Sequence, residues 1–315
     1  MKVCISIDLD NYQDYQSLVD TSIEGDPPTF YTDALPRFLD LFDECGIRAT
    51  FFAIGRDLSR PENRSILRQA FDRGHEIGNH SFTHPYNFRQ LSREQKEKEI
   101  DDAHAAIADL LGAPPVGFRA PSCEVDLELL ELLDERNYLY DSSVFPSPLM
   151  WLFMIYGKLF IKRDHYQLGS AWAAAAPNQP YWPSDRALYR REKDPSRQAT
   201  RVLEIPFSTL TPLRIPFYST FLRILGTRFF DGMTSGYGSK KPSLHALFHQ
   251  IEFSDFHGTE LEKAMANTPA LAAPFSSRSR YMNHVMARLS TAGDPVPLQE
   301  LASAYRKKMD GESIL

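Results

Sequence analysis

Two carboxylates near the start of the chain are spaced for joint chemistry. Asp8 and Asp10 lie two positions apart in the segment SIDLDN, directly after an apolar run that is typical of a strand. On an extended chain both side chains point to the same side, so their negative charges repel unless a cation or an arginine compensates them. The alternative is that one aspartate caps the following turn, where this residue type is common.

Two histidines form a second pair. His80 and His84 lie four positions apart in the segment HSFTHP. This spacing brings both imidazoles to one face if the chain makes a helical turn there. With one carboxylate they would form a facial triad that leaves coordination positions open for water and substrate. Two exposed or capping histidines are the alternative, and the neighbouring aspartate pair favours the metal site.

An alternation of strand and helix patterns would position these pairs. Apolar runs bounded by turn residues predict strands at 3–9, 49–54, 75–78, 116–119, 138–140, 202–205 and 244–251. Amphipathic stretches with start and stop residues predict helices at 32–45, 61–73, 92–111, 126–136, 218–230, 278–289 and 298–307. This order predicts a parallel sheet, either open or closed into a barrel.

Polar residues at strand ends extend the candidate site. In parallel β/α folds the carboxyl ends of the strands carry the functional groups. Beyond the two pairs, this rule selects Arg119, Asp141 and His249. His245 shares a strand face with His249, and His257 follows in the next loop, so composition alone does not choose among the three histidines. His249 is the favoured candidate for the site because it lies nearest the end of the strand, and His257 is the next candidate.

Five segments, in one order, resemble the motifs of the NodB-type polysaccharide deacetylase family, carbohydrate esterase family four. They are SIDLDN, GHEIGNHSFTH, FRAPS, YDSS and LFHQIE, which stand where that family has its aspartate, His-x-x-x-His, Arg-x-Pro, Asp-x-Ser and late-histidine motifs. The match spans residues 1–143 and 244–255. The resemblance implies a distorted (β/α)7 barrel as one domain over 1–315. It also implies hydrolysis of an N-acyl group, with N-acetyl favoured, on an amino sugar.

The resemblance also implies a role for each motif residue. One divalent metal would be held by Asp10, His80 and His84. Zinc is the expected ion, and cobalt, nickel and iron suit the same ligands. Asp8 would be the general base, held ionised by Arg119, and His249 would be the general acid, held by Asp141.

Two departures from the family pattern bear on these roles. Leu9 separates Asp8 from Asp10, whereas many family members have adjacent aspartates followed by glycine. The roles of base and ligand can therefore exchange between the two aspartates, and the variant is associated with smaller or lipid-linked sugars. The arginine motif continues into Ser122 and Cys123 instead of an aromatic residue and glycine, so a different local loop is expected.

A long insertion interrupts the alternation. Residues 144–200 are rich in proline, aromatic residues and alanine without a clear period, which predicts an insertion in a βα loop and a candidate substrate lid. Its most apolar stretch, 148–161, is too short to span a bilayer. A buried helix or lid is the favoured interpretation, and an interfacial helix that gives peripheral membrane contact is the alternative.

Composition indicates which binding partners and which cellular compartment are expected. A net charge of -6 without a basic stripe argues against a nucleic-acid partner. The three scattered cysteines suit a reducing compartment, and the start MKVCISIDLD enters a strand at once, so a cytoplasmic protein is expected. Its substrate would be a small or lipid-linked amino sugar. The alternative functions are a deformylase or cyclic-amide hydrolase of the same family, or an inactive sugar-binding relative.

Overall fold

A computed structural model describes most of the chain, namely residues 1–19, 30–149, 169–238, 241–265 and 271–309. Its strands are β1 Lys2–Asp8, β2 Thr50–Ala53, β3 Glu76–Asn79, β4 Gly117–Phe118, β5 Tyr140–Asp141, β6 Pro183–Ser184, β7 Ala187–Arg191, β8 Leu203–Glu204, β9 Thr209–Leu210, β10 Ile215–Pro216, β11 Ser243–His249 and β12 Asp294–Pro295. Its helices are α1 Tyr12–Val19, α2 Phe30–Cys45, α3 Pro61–Asp72, α4 Arg93–Leu111, α5 Leu127–Glu135, α6 Ser219–Leu225, α7 Thr227–Tyr237, α8 Glu260–Met265, α9 Phe275–Ser290 and α10 Leu298–Met309.

One parallel sheet organises the molecule. Its strands follow the order β11-β1-β2-β3-β4-β5-β8, with the short β12 also paired to the start of β1. The sheet curls into a half-barrel, which confirms the predicted distorted (β/α)7 fold. Because all seven main strands are parallel, their carboxyl ends lie along one rim.

The two faces of β1 show how the sequence pattern positions the site. Val3 and Ile5 pack with Phe38 of α2 in the layer between sheet and helices. Cys4, on the opposite face, packs in a separate cluster that contains residues of β2, β5 and β8. Asp8 lies four positions after Cys4 on the same strand, and side chains alternate between the two faces. The Asp8 side chain therefore lies on the same, interior face of the curled sheet. Each fully buried large apolar side chain here contributes roughly 2 kcal/mol.

A buried glutamate ties the last helix to the sheet near the amino ends of its strands. Glu76, at the start of β3, accepts hydrogen bonds from Thr50 Oγ1 (2.7 Å), Tyr140 OH (2.8 Å) and the backbone N–H of Gln299 (2.9 Å). The Gln299 contact satisfies a backbone donor in the first turn of α10, which has no partner within its own helix. Burial raises the pKa of Glu76 to about 7.

The structure differs from the sequence-based elements at several places. The single helix predicted at 218–230 is two helices, α6 and α7, because the chain breaks at Gly226 with a φ of +81°. The helices α1 and α8 and the hairpins β6-β7 and β9-β10 were not predicted. Short amphipathic or two-residue elements carry too few residues for a clear period, so their patterns are weak.

The predicted insertion is described only in part. Residues 150–168, and with them most of the apolar stretch 148–161, lie outside the described residues, so its expected role as a lid or membrane contact stays a prediction. The described part includes a 3-10 turn at Ala171–Ala175 and the hairpin β6-β7. Among the described residues, no helix has the length and apolarity needed to cross a membrane.

Candidate active site

The rim of the sheet brings the candidate residues together. Asp8 is the last residue of β1 and is paired in register with His249, the last residue of β11. His80 directly follows β3, and Arg119 directly follows β4. Asp141 ends β5. Each predicted strand-end residue therefore lies at the carboxyl end of its strand, as the rule for parallel sheets predicts.

Asp10, His80 and His84 form a cluster that could hold a metal ion. One ligand atom from each residue lies within 4.8 Å of the others. Asp10 Oδ1 is 3.4 Å from the Nε2 atoms of both histidines, and this buried oxygen accepts no hydrogen bond from the described residues. Burial alone would raise the pKa of Asp10, but His84 and His80 hold it well below its ordinary value. An unpaired buried carboxylate oxygen facing two imidazoles fits a divalent cation.

The outer nitrogens of the two histidines face a backbone oxygen and a carboxylate oxygen. His80 Nδ1 lies 2.7 Å from the backbone carbonyl oxygen of Arg119. His84 Nδ1 lies 3.7 Å from Asp14 Oδ1, an oxygen that also accepts from Arg56. A ligating histidine whose second ring nitrogen faces a carbonyl or carboxylate keeps its Nε2 lone pair for the metal. Both imidazoles are thus oriented for coordination through Nε2.

The loop that carries the two histidines is not the helical turn that the spacing suggested. Ser81 and His84 have positive φ values of 64° and 57°. Ser81 Oγ accepts from the backbone N–H of His84 at 3.1 Å, and the backbone N–H of Ser81 donates to Asn79 Oδ1 at 2.8 Å. Local side-chain hydrogen bonds stabilise this irregular backbone, which brings the two imidazole centroids to 4.9 Å.

Arg119 holds one oxygen of Asp8. Its Nη1 donates to Asp8 Oδ1 at 2.5 Å, its Nε donates to the Ser142 carbonyl at 2.9 Å, and its Nη2 donates to Ser142 Oγ at 3.0 Å. The guanidinium lies between the rings of Phe52 and Phe207, with its central carbon 4.1 and 4.7 Å from their centroids. The other oxygen, Asp8 Oδ2, faces the centre of the site, 3.9 Å from His80 Nε2.

His249 is the histidine of the late motif that faces this centre. Its Nε2 lies 3.9 Å from Asp8 Oδ2 and 3.8 Å from Asp10 Oδ2. Burial lowers the pKa of His249, but Glu252, Asp10 and Asp8 outweigh that effect and raise it to about 9. The side chain therefore favours the protonated form that a general acid needs.

The two rival histidines have other environments. His257 is 84% exposed and pairs with Glu262. His245 is buried, with Nε2 2.9 Å from Ser6 Oγ and 3.3 Å from Arg119 Nη2. Burial and the charge of Arg119 lower the pKa of His245 well below its ordinary value, so it accepts hydrogen bonds as a neutral ring. The geometry therefore favours His249 as the acid.

Asp141 does not hold His249, which corrects the expectation. Asp141 accepts from Ser143 Oγ at 2.7 Å and lies beside Glu204, its register partner on β8. Burial raises the pKa of both carboxyl groups. The Asp141 side chain is engaged instead with these neighbours at the ends of β5 and β8. Glu252, three residues after His249, takes this place instead, with Oε1 3.7 Å from His249 Nδ1.

Three contributors were missed by reasoning from the sequence. They are Asp14, Gln250 and Glu252. Gln250 Nε2 donates to the carbonyl oxygens of Leu9 (2.8 Å) and Asp10 (2.9 Å), and so fixes the backbone around the residue that separates the two aspartates. The segment HQIE already contained Gln250 and Glu252, and their position beside the late histidine was the available signal.

A family model covers two of the five motifs, GHEIGNHSFTH and FRAPS. The family model for polysaccharide deacetylases matches residues 24–140. The peptidoglycan deacetylase-like protein FGM2 of Gibberella zeae is 28% identical over 145 residues, which are 45% of this chain and 41% of that protein. Chitin deacetylase 1 of Cryptococcus neoformans is 35% identical over 156 residues, 48% of this chain and 30% of that one. A peptidoglycan-N-acetylglucosamine deacetylase of Bacillus cereus is 28% identical over 104 residues, 33% of this chain and 37% of the relative. The matched region thus spans less than half of each of these relatives.

Solved structures show the same fold. A protein of Mycobacterium smegmatis assigned as a polysaccharide deacetylase superposes with a TM-score of 0.57 at 16% identity, covering 100% of this chain and 93% of that one. A protein of Pseudomonas aeruginosa PAO1 with the same assignment gives a TM-score of 0.55 at 14% identity, covering 97% and 91%. At sequence identities this low, the similarity to these structures shows a shared fold only.

Proposed function

We propose that the protein is a metal-dependent hydrolase that removes an N-acetyl group from an amino sugar, a proposal supported by the match of residues 24–140 to the polysaccharide deacetylase family model. The observation that carries the proposal is Asp10 Oδ1, which is buried, faces His80 and His84, and accepts no hydrogen bond within the described part of the chain. Beside this cluster lie an arginine-held carboxylate, Asp8, and a histidine, His249. The relatives named as chitin and peptidoglycan deacetylases support the substrate class.

Asp10, His80 and His84 would hold the ion, with zinc as the expected metal and cobalt, nickel or iron as alternatives. When bound, a divalent cation supplies Lewis acidity toward water and toward the acyl oxygen. The two imidazoles and one carboxylate leave coordination positions open for these groups.

The chain's own residues would move the protons. Asp8 Oδ2 faces the centre and would accept a proton from the attacking water, while Arg119 on Oδ1 holds the carboxylate in its orientation. As the new C–O bond forms and the C–N bond breaks, His249 Nε2 would donate its proton to the leaving nitrogen. The products are acetate and the free amine of the sugar.

The test is metal content and amine release measured on the same protein. We expect the purified protein to bind about one equivalent of zinc and to release amine from acetylated glucosamine oligomers. His80→Ala should lose both, because it removes a ligand, whereas His284→Ala, on the surface beside Asp231, should keep both. A protein that binds no zinc, cobalt or nickel and releases no amine would contradict the proposal. Formylated and cyclic-amide substrates in the same panel distinguish the related activities.

A further inference from the structure

Glu252 is a buried glutamate in the 3-10 turn that follows β11. Its side chain is nearly inaccessible to solvent. Oε1 accepts from the backbone N–H of His249 at 3.2 Å and from Thr220 Oγ1 at 3.1 Å. Two donors on different elements therefore fix the position of this oxygen, and charge-assisted hydrogen bonds of this kind hold a carboxylate firmly.

The same oxygen faces the ring of His249. Oε1 lies 3.7 Å from His249 Nδ1, while Nε2, on the other side of the ring, faces Asp8 and Asp10. The ring of Tyr218 packs against the imidazole at 67°, with centroids 5.7 Å apart, which restricts its rotation. The negative charge of Oε1 beside Nδ1 favours a hydrogen on that nitrogen, which leaves Nε2 for the reaction centre.

Two arginines lie near this carboxylate, and Arg223 interacts with it through charge. Arg278 Nη1 donates to the backbone carbonyls of Ile251 (3.0 Å) and Glu252 (3.3 Å). This arginine therefore supports the backbone of the turn. Glu252 Oε2 is buried and has no hydrogen-bond partner among the described residues.

We propose that Glu252 is the positioning residue for proton donation by His249. This inference rests on the proposed deacetylase function. Glu252 acts through the histidine: it keeps the hydrogen on Nδ1, directs the Nε2–H toward the leaving nitrogen, and balances the positive charge of the ring until that proton is transferred. When the C–N bond breaks, the Nε2 proton passes to the amine nitrogen and the Nδ1 hydrogen stays beside Glu252.

The test compares two leaving groups in Glu252→Gln. The amide oxygen of glutamine can still accept from Thr220 and from the backbone of His249, so the variant removes mainly the negative charge. An amide substrate needs protonation of its nitrogen, whereas the nitrophenolate of 4-nitrophenyl acetate leaves without a proton. We expect kcat for acetylated glucosamine oligomers to fall about 100-fold with little change in KM, and ester hydrolysis and zinc content to stay near those of the parent.

A matched control is Glu262→Gln, the same change on a nearby exposed glutamate that pairs with His257. It should leave both substrates unaffected. An equal loss on amide and ester in Glu252→Gln would indicate a purely structural role and overturn the inference, as would full amide activity. If the parent protein binds zinc but hydrolyses neither substrate, the proposed function itself fails.

A second readout does not depend on turnover. Long-range ¹H–¹⁵N spectra of the histidine rings report which nitrogen carries the hydrogen. In the parent protein, the neutral form of His249 should carry it on Nδ1. A neutral ring protonated on Nε2 would overturn the assignment to Glu252 whether or not a substrate is found.

Discussion

Arg119 Nη1 lies 2.5 Å from Asp8 Oδ1, although 111 positions separate the two residues in the chain. The contact joins the ends of β1 and β4, and every hydrogen-bonding nitrogen of the guanidinium has an acceptor within this part of the site. Because the arginine occupies one oxygen of Asp8, the other oxygen is the one that faces the candidate metal ligands.

Arg119→Lys should therefore impair catalysis more than metal binding. A lysine supplies a single point charge and cannot bond Asp8, the Ser142 carbonyl and Ser142 Oγ in the same plane. We expect kcat for amide hydrolysis to fall about 100-fold. Arg136→Lys, at a surface pair with Asp101, serves as the control in the same assay. Activity of Arg119→Lys equal to that of the control would contradict the role of this contact.

Gln250→Ala should weaken metal binding. The two hydrogen bonds from Gln250 Nε2 hold the carbonyls of Leu9 and Asp10, and thereby the backbone that carries the candidate carboxylate ligand. Loss of such outer support weakens metal affinity about tenfold or more. Competition with a chromophoric chelator measures the dissociation constant. Gln69→Ala, exposed on α3, should bind zinc as the parent does.

Asp14→Asn should also weaken metal binding, but through His84. Asp14 Oδ1 is the carboxylate oxygen nearest His84 Nδ1, at 3.7 Å, and its charge favours the tautomer whose Nε2 is free to coordinate. We expect a 10–100-fold increase in the zinc dissociation constant, by the usual effect of removing such a partner. Asp40→Asn on the exposed side of α2 is the control. An unchanged dissociation constant for Asp14→Asn would show that Asp14 does not orient His84.

Glu76 should make the stability of the protein depend on pH. Its pKa is raised from 4.5 to about 7 by burial. The unfolded chain releases this proton above pH 4.5, whereas the folded chain retains it until about pH 7. The contribution is therefore complete below pH 4.5 and is lost as pH rises through 7, a loss of roughly 3 kcal/mol in the free energy of unfolding.

Glu76→Gln should make the decrease between low and high pH smaller, because glutamine does not ionise, whereas Asp57, whose pKa is also raised to about 7, keeps its own contribution. Urea unfolding of the metal-free protein at pH 5 and pH 8 measures the difference between the two conditions. Glu131→Gln, at an exposed position of α5, should retain the dependence of the parent. The same decrease in Glu76→Gln and the parent would assign the pH dependence to other groups.

Much of the site followed from the sequence because its residues obey a local rule. Alternation along β1 directs Asp8 to the interior face, and the parallel strands that were predicted bring Arg119 and His249 to the same rim. Asp10, His80 and His84 also lie together as predicted. The face of a strand to which a side chain points, and whether a residue lies at the end of a strand, both depend on residues close in sequence. The sequence pattern therefore predicts both.

The choice of partners was decided only by the tertiary structure. Spacing did not show that Glu252, and not Asp141, faces His249, because that depends on the 3-10 turn that follows β11. The left-handed backbone conformation at Ser81 and His84 could not be predicted from the sequence either, because for these residue types it arises from specific hydrogen bonds. The sequence by itself determined the residue types, the strand ends and the alternating order. Packing across distant segments determined the distances of a few ångströms on which hydrogen bonds and pKa values depend.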